Sequence, residues 1–409
     1  MTPAYWSILA LLVAIIASCV TEWNIGVLAA SLAWAVGVHF GGLTPNQVMA
    51  GFPTTLFLTL AGTTLLFGQV ASNGTLEHIA SRVTWLCRGN VGLFPIAFFL
   101  FAILISTSGT GNISTMVVLA PMAMAVAGRT GIPPILMAIM TANGVNAGNL
   151  SPFTPTGIVV RESLAKAGIT GVEWKTWAVM AGVHALVAAG AFVLFGGVKL
   201  FSKRDGDGSS LAEALETKHY VTLAVVLIWM ASVMYFAAPV GLSAFAASVV
   251  LTALRLADHS DPVRKMPWNV IIMICGVTML ISVLEKTQGL DLFTDWIARI
   301  STKGTVNAVV AFITGIVSSY SSTSGVVIPT FVPIAPGLAT RLGIADPLPI
   351  AWAISIGAHL VDVSPLSTLG ALSLAAAPEG TNTRTMFNQL MAWGFAMAPV
   401  GALICWLVL

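Results

Sequence analysis

The sequence predicts an all-α polytopic membrane protein made of two inverted repeats, with about ten transmembrane helices, two re-entrant helical hairpins and two broken helices. Three observations predict it. Of the 409 residues, 57% are hydrophobic and 8% charged, against about a quarter charged in a soluble domain. Two apolar stretches, 89–128 and 304–340, contain no charged residue yet carry Gly/Ser-rich clusters at their centres. The chain also repeats itself: "VLAPMAMAVAGRTGI" is answered by "FVPIAPGLATRLGI", and "GVNAGNLSPFTPTG" by "GAHLVDVSPLSTLG".

A spanning helix needs about 20 mostly apolar residues. The first repeat, 1–199, opens with spans near 5–21, 24–40 and 53–72. Its N-terminus lacks a basic n-region and a small-residue cleavage site, so it reads as a retained helix and not as a signal peptide. The segment "NGTLEHIASRVTWLCR" mixes charges with Trp and reads as an interfacial amphipathic helix. A hairpin follows at about 91–128. Two arms of about 16 residues reach roughly 24 Å, short of a ~30 Å core, so the chain enters, turns at mid-depth and leaves on the same side. A broken helix is expected at about 133–166, then a span near 174–198. Residues 200–217 read as a polar cytoplasmic linker, which contains Lys203 and Arg204 and is flanked by Lys199 and Lys218.

The second repeat, 218–409, restates this order. Spans fall near 218–236, 239–257 and 268–286, followed by the interfacial segment "KTQGLDLFTDWIARI". A hairpin (about 304–340), a broken helix (about 346–377) and a last span (385–408) complete it. Pro121 pairs with Pro333, Arg129 with Arg341 and Gly157 with Gly370. Each unit crosses the bilayer five times. Five is odd, so the second copy runs upside down, as in secondary transporters.

The hairpin tips and the breaks are the candidate site. Irregular backbone at mid-membrane depth is tolerated only inside protein or beside a water-filled cavity. Free N–H groups at a half-helix start suit an anion, and carbonyl and side-chain oxygens suit Na⁺. The expected substrate contacts are Thr107, Ser108, Gly109 and Asn112 at the first tip and Thr154 and Thr156 at the first break. At the second tip they are Ser322, Thr323 and Ser324, and at the second break Ser367 and Thr368. The expected cation-coupling set is Thr107, Gly111, Asn112, Asn149, Ser321, Ser324, His359 and Asp362, with Na⁺ at Asn112 and Asn149. Asp362 is the one acid in these regions, aligned with Asn149 in the repeat, and is a candidate Na⁺ ligand or proton carrier. Arg129 and Arg341 read as interface anchors, and His184 as structural.

Other classes fit less well. HExxH and GxSxG are absent, as are a ligand-spaced His/Cys set and paired intramembrane acids, so the sequence reads as a non-enzyme without cofactor. Nothing in its charge balance points to nucleic acid. An antiporter or oxyanion exporter on the same fold remains an alternative, with a membrane-embedded enzyme or a passive channel behind it.

These residues resemble the ion transporter superfamily, which includes the divalent anion/sodium symporters. Those proteins carry a Ser-Asn-Thr motif at each hairpin tip. Counting back from the two prolines, the positions hold Gly111, Asn112 and Ile113 in the first repeat and Thr323, Ser324 and Gly325 in the second. A run from Ala50 to Ile79, continued by Arg88 to Ala102, resembles the MatC-type dicarboxylate carriers associated with malonate. The resemblance implies uptake of malonate or a C4 diacid, coupled to Na⁺ or H⁺, across the plasma (cell inner) membrane. It also implies an elevator mechanism, with a scaffold of spans 24–40, 53–72, 239–257 and 268–286 in a homodimer.

Overall fold

The computed structural model describes residues 2–409 except 22, 77, 79–84, 86, 205–214, 237, 257–262, 265 and 320. Half of the first expected interfacial segment and most of the central linker lie outside the described residues. Among those described, every named element is helical.

The first repeat holds α1 (Pro3–Val20), α2 (Ile25–His39), the short α3 (Pro45–Met49) and α4 (Thr54–Ser72). Its hairpin is α5 (Leu93–Ile105) and α6 (Gly111–Thr130), joined by a wide helical turn at Ser106–Thr110. The broken helix is α7 (Pro134–Gly148) plus α8 (Pro155–Ala165), and α9 (Glu173–Leu194) closes the unit. The second repeat holds α10 (Thr217–Phe236), α11 (Val240–Ala253), α12 (Trp268–Lys286) and α13 (Gly289–Arg299). Its hairpin goes out on α14 (Val306–Ser318). It returns through a wide turn (Thr323–Val327), α15 (Ile328–Phe331), a 3₁₀ turn containing Pro333, and α16 (Ala335–Leu342). The second broken helix is α17 (Leu348–Leu360) plus α18 (Thr368–Ala375), followed by α19 (Thr383–Val408).

Local chemistry explains several boundaries. Proline stands in the first turn of α1, α7 and α8, where its missing N–H costs nothing. Both hairpins end on a left-handed glycine, Gly131 (φ 66°) and Gly343 (φ 64°), which stops the return arm. The outgoing arms are 13 residues each, about 20 Å, and so turn inside the bilayer. Among the described residues, seven helical stretches are long and apolar enough to cross a membrane by length and composition, the first hairpin (93–130) and the second broken helix (348–375) each counting as one stretch, and α1, α2, α10, α11 and α14 are shorter apolar helices.

The packing obeys the inverted symmetry. Gly26 of α2 meets the Ile272 carbonyl of α12, and Gly276 of α12 meets the Gly26 carbonyl. The partner crossing joins α4 to α11, where Gly62 lies against Gly241 and Gly241 against Leu58. The two crossings exchange the roles of the repeats. Deeper in, α5 packs on α7 where a Cβ on Gly144 would overlap the Phe99 carbonyl oxygen. In the same way α14 packs on α17 where a Cβ on Gly357 would overlap that of Ala311. Small residues let these backbones touch, which is how membrane helices gain packing where lipid supplies no hydrophobic drive.

The broken helices occupy the centre. Residues 135–148 of α7 and 350–360 of α17 are buried. They carry Asn143, Asn146, His359 and the approach to Asp362, polar groups that could not face lipid. His184 is fully buried and its Nδ1 lies 2.8 Å from Asn143 Oδ1, the structural position expected for it. The amphipathic α13 is tied to the end of the second hairpin by Arg341, which donates to Asp291 (3.2 Å) and to Asp295. Counting crossings from the N-terminal face, the α1–α2 loop and the central linker share one face. The first hairpin enters from that face and the second from the opposite one.

Candidate functional site

Both hairpin tips and both breaks converge at the centre, but the two repeats finish differently. In the first repeat the donors are consumed internally. The Asn112 N–H donates to Asn149 Oδ1 (3.1 Å), and the Ile113 N–H donates to Asn112 Oδ1 (2.9 Å). The Asn112 amide donates to Asn146 Oδ1 (3.1 Å), and the Asn146 amide to the His359 carbonyl (3.0 Å). At the break, Thr154 accepts the Gly157 N–H (3.1 Å) and caps α8.

This network crosses between the repeats. The Asn149 amide donates to Thr156 Oγ1 (3.0 Å) and to His359 Nε2 (3.1 Å). His359 Nδ1 faces the Ser355 carbonyl at 2.7 Å, so Nδ1 carries the proton and Nε2 accepts. Thr156 then donates to Ser324 Oγ at 2.9 Å, joining the first break to the second tip. A void of ≈ 40 Å³ adjoins this junction, lined in part by Thr64, Gly111, Asn112, Asn149, Thr156 and Ser324.

The second repeat instead borders an open cavity. Ser322 is extended and accepts the Gly325 N–H (3.1 Å), which starts the return arm. Ser367, aligned with Thr154, donates to the carbonyls of Asp362 and Ser364, as Thr154 does to those of Asn149 and Ser151, but makes no side-chain cap on α18. Asp362, aligned with Asn149, has the Thr323 and Ser367 side chains beside its carboxyl group. A cavity of ≈ 280 Å³ results. Asn112, Ser321, Ser322, Thr323, Ser324, Asp362, Ser367 and Thr368 supply its polar wall, and Ile25, Ile113, Met273, Leu366 and Leu369 its apolar one. Thr21 and Trp23 stand at its rim, so it faces the side of the α1–α2 loop and the central linker. Among the described residues, Asp362 is the only charged one lining it.

The expected residues therefore divide. The structure gathers Asn112, Ser321, Ser322, Thr323, Ser324, Asp362, Ser367 and Thr368 around one cavity. It holds Asn149, Thr156 and His359 just behind, in the network, and Gly111 beside the smaller void. Thr107, Ser108, Gly109 and Thr154 do not line the cavity. Thr107 accepts from Trp177 Nε1 (3.0 Å), Ser108 donates to the Ile105 carbonyl (2.7 Å), and Gly109 (φ 126°) packs on the Phe67 ring. The physical reason is the first tip's tight closure on Asn149. The sequence reading missed Trp23, Ile25 and Met273, because only tertiary packing brings the α1–α2 corner and α12 to the second tip.

Fold and site together define a class: a multi-pass membrane protein with the inverted-repeat architecture of a secondary transporter. Residues 1–149 match the family described as dicarboxylate carrier protein MatC N-terminus, which bears out the resemblance read from the sequence. Two Mycobacterium tuberculosis proteins, the uncharacterized transporters MT2759 (strain CDC 1551 / Oshkosh) and Rv2685 (strain ATCC 25618 / H37Rv), are each 22% identical over 329 residues. The match covers 76% of this chain and 74% of theirs. Among solved structures, the Alcanivorax borkumensis YdaH transporter superposes with a TM-score of 0.61 at 14% identity, covering 100% of this chain and 98% of that one. At that identity the likeness concerns the fold alone.

Proposed function

We propose that the protein is a secondary active transporter of a small dicarboxylate, malonate or a C4 diacid, by cation-coupled symport. The observation that carries the reading is the ≈ 280 Å³ cavity between the second tip and the second break. Two half-helix starts, at Thr323 and Thr368, meet there among hydroxyl groups, an arrangement suited to carboxylates. The match of residues 1–149 to the MatC dicarboxylate carrier N-terminus supplies the substrate class.

Coupling follows from charge. Asp362 is on the wall and, among the described residues, no lysine, arginine or histidine lines the cavity. Two like charges 4 Å apart repel by about 4 kcal/mol at an effective dielectric of 20. A dianion beside Asp362 therefore enters with its own cations. A proton on Asp362 is one carrier. Na⁺ in the ≈ 40 Å³ void, among the oxygens of Asn112, Asn149 and Thr156, is the other. Alternating access is by an elevator: the hairpins and broken helices move against a scaffold of α2, α4, α11 and α12, and the scaffold dimerises.

Uptake into proteoliposomes tests this reading, with malonate, succinate and a tricarboxylate offered under separately imposed Na⁺ and proton gradients. The expected result is saturable accumulation of one or both diacids against their gradient, driven by one cation. Uptake that only equilibrates, or no uptake of either diacid, contradicts it.

A further inference from the structure

A second, larger cavity of ≈ 490 Å³ lies on the opposite face from the substrate cavity. Its walls come from both repeats. The segment from Ala50 to Leu56, at the α3–α4 junction, and α12 from Thr278 to Glu285 form one side. The last turns of α8, with Glu162 and Lys166, and the return arm of the second hairpin, with Pro329, Pro333 and Pro336, form the other. Three membrane helices begin or end around it: α4 starts at Thr54, α8 stops at Ala165 and α12 stops at Lys286. Leu290, in the first turn of the amphipathic α13, reaches it as well. Its mouth is therefore at headgroup depth, where spanning helices end and amphipathic helices lie.

The lining is graded. Leu56, Val159, Ile281 and the prolines form an apolar floor, and Thr54, Ser163, Ser282 and three charged residues form the rim. Glu162 is paired with Arg161 (3.2 Å). Lys166 and Glu285 have no ion pair among the described residues, although they face the same space with opposite charge. A cation and an anion held apart over an apolar floor match a ligand that carries both charges on a greasy body.

We propose that this crevice binds one zwitterionic phospholipid with a primary ammonium, a phosphatidylethanolamine. Its phosphate sits at Lys166, its ammonium at Glu285 with the Glu162 carboxylate nearby, and an acyl chain lies along the proline-lined floor. An anionic headgroup fits less well, because two carboxylates line the rim against one lysine. A choline headgroup fits less well, because it has no N–H to donate to a carboxylate. The site is independent of the substrate cavity, so the lipid assignment stands or falls apart from the transport assignment.

The test is lipid retention by the purified full-length protein, measured by native mass spectrometry after exchange into phosphatidylethanolamine, phosphatidylcholine or phosphatidylglycerol. We expect phosphatidylethanolamine to be retained at least severalfold over the other two. Lys166→Gln combined with Glu285→Gln should remove that preference while the protein stays monodisperse. As a control, Lys303→Gln, away from the crevice, should leave it unchanged. Equal retention of the three lipids, or an undiminished preference in the double variant, overturns the proposal. So does binding of water-soluble glycerophosphoethanolamine as tight as that of the whole lipid, which would assign the site to a free solute.

Discussion

Asp362→Asn will lower dicarboxylate uptake roughly 10- to 100-fold while yield, monodispersity and thermal stability stay close to those of the parent. The range corresponds to losing one charge-assisted contact set of about 1.5–3 kcal/mol at tenfold per 1.36 kcal/mol. Asp362 is 6% exposed, stands between the Thr323 and Ser367 side chains and is the one charged group on the cavity wall among the described residues. Asparagine keeps its volume and one oxygen acceptor for those hydroxyls, so the fold survives. What it loses is the charge that binds a cation or accepts a proton. Normal coupled uptake by this variant would remove Asp362 from the mechanism. The aligned Asn149 offers the contrast, since the first repeat already uses an amide there and spends it on Asn112, Thr156 and His359.

The second large effect is on folding. Gly357→Leu should abolish recovery of monodisperse protein, because any Cβ at Gly357 overlaps the Ala311 backbone of the facing arm. Ordinary overpacking costs about 1–3 kcal/mol, relieved by side chains that move aside. Here the obstacle is a carbonyl in a helix, and relief requires α14 and α17 to separate along the face that holds the second tip in place. Gly182→Leu on α9 is the control: nothing lies within 4 Å of the added Cβ, and the variant should behave like the parent. Size-exclusion profiles of the two variants decide it. A normal profile for Gly357→Leu would mean that the close crossing is not what fixes the hairpin against the broken helix.

The sequence made the architecture legible because membrane constraints are severe. Uncharged stretches with polar centres can be only a few things in a bilayer, and the repeat supplied each element with a twin. The structure confirms the tips at Ser106–Thr110 and Thr323–Val327 and the breaks before Pro155 and Thr368. The site was legible only to the level of segments. The same Gly/Ser composition at both tips gave no sign that one is closed and the other open. That difference turns on the change from Asn149 to Asp362 and on one cap: Thr154 and Ser367 both donate to carbonyls of their own break, but only Thr154 also accepts an N–H of the half-helix that follows. Composition cannot carry that information, because it depends on which acceptor is nearer. The contribution of Trp23, Ile25 and Met273 was hidden for a related reason: those residues are ordinary membrane-protein residues until the fold places them beside the second tip.

The central claim is that the cavity between the second tip and the second break is the dicarboxylate site. Thiol labelling of Ser324→Cys in a cysteine-free background tests it most directly, using a water-soluble, membrane-impermeant reagent with and without malonate or succinate. Ser324 lines the cavity at the junction with Thr156. The account predicts labelling from the linker face alone and a concentration-dependent slowing by the transported diacid but not by a monocarboxylate. Labelling at the same rate with and without diacid, in a variant that still transports it, would contradict the account.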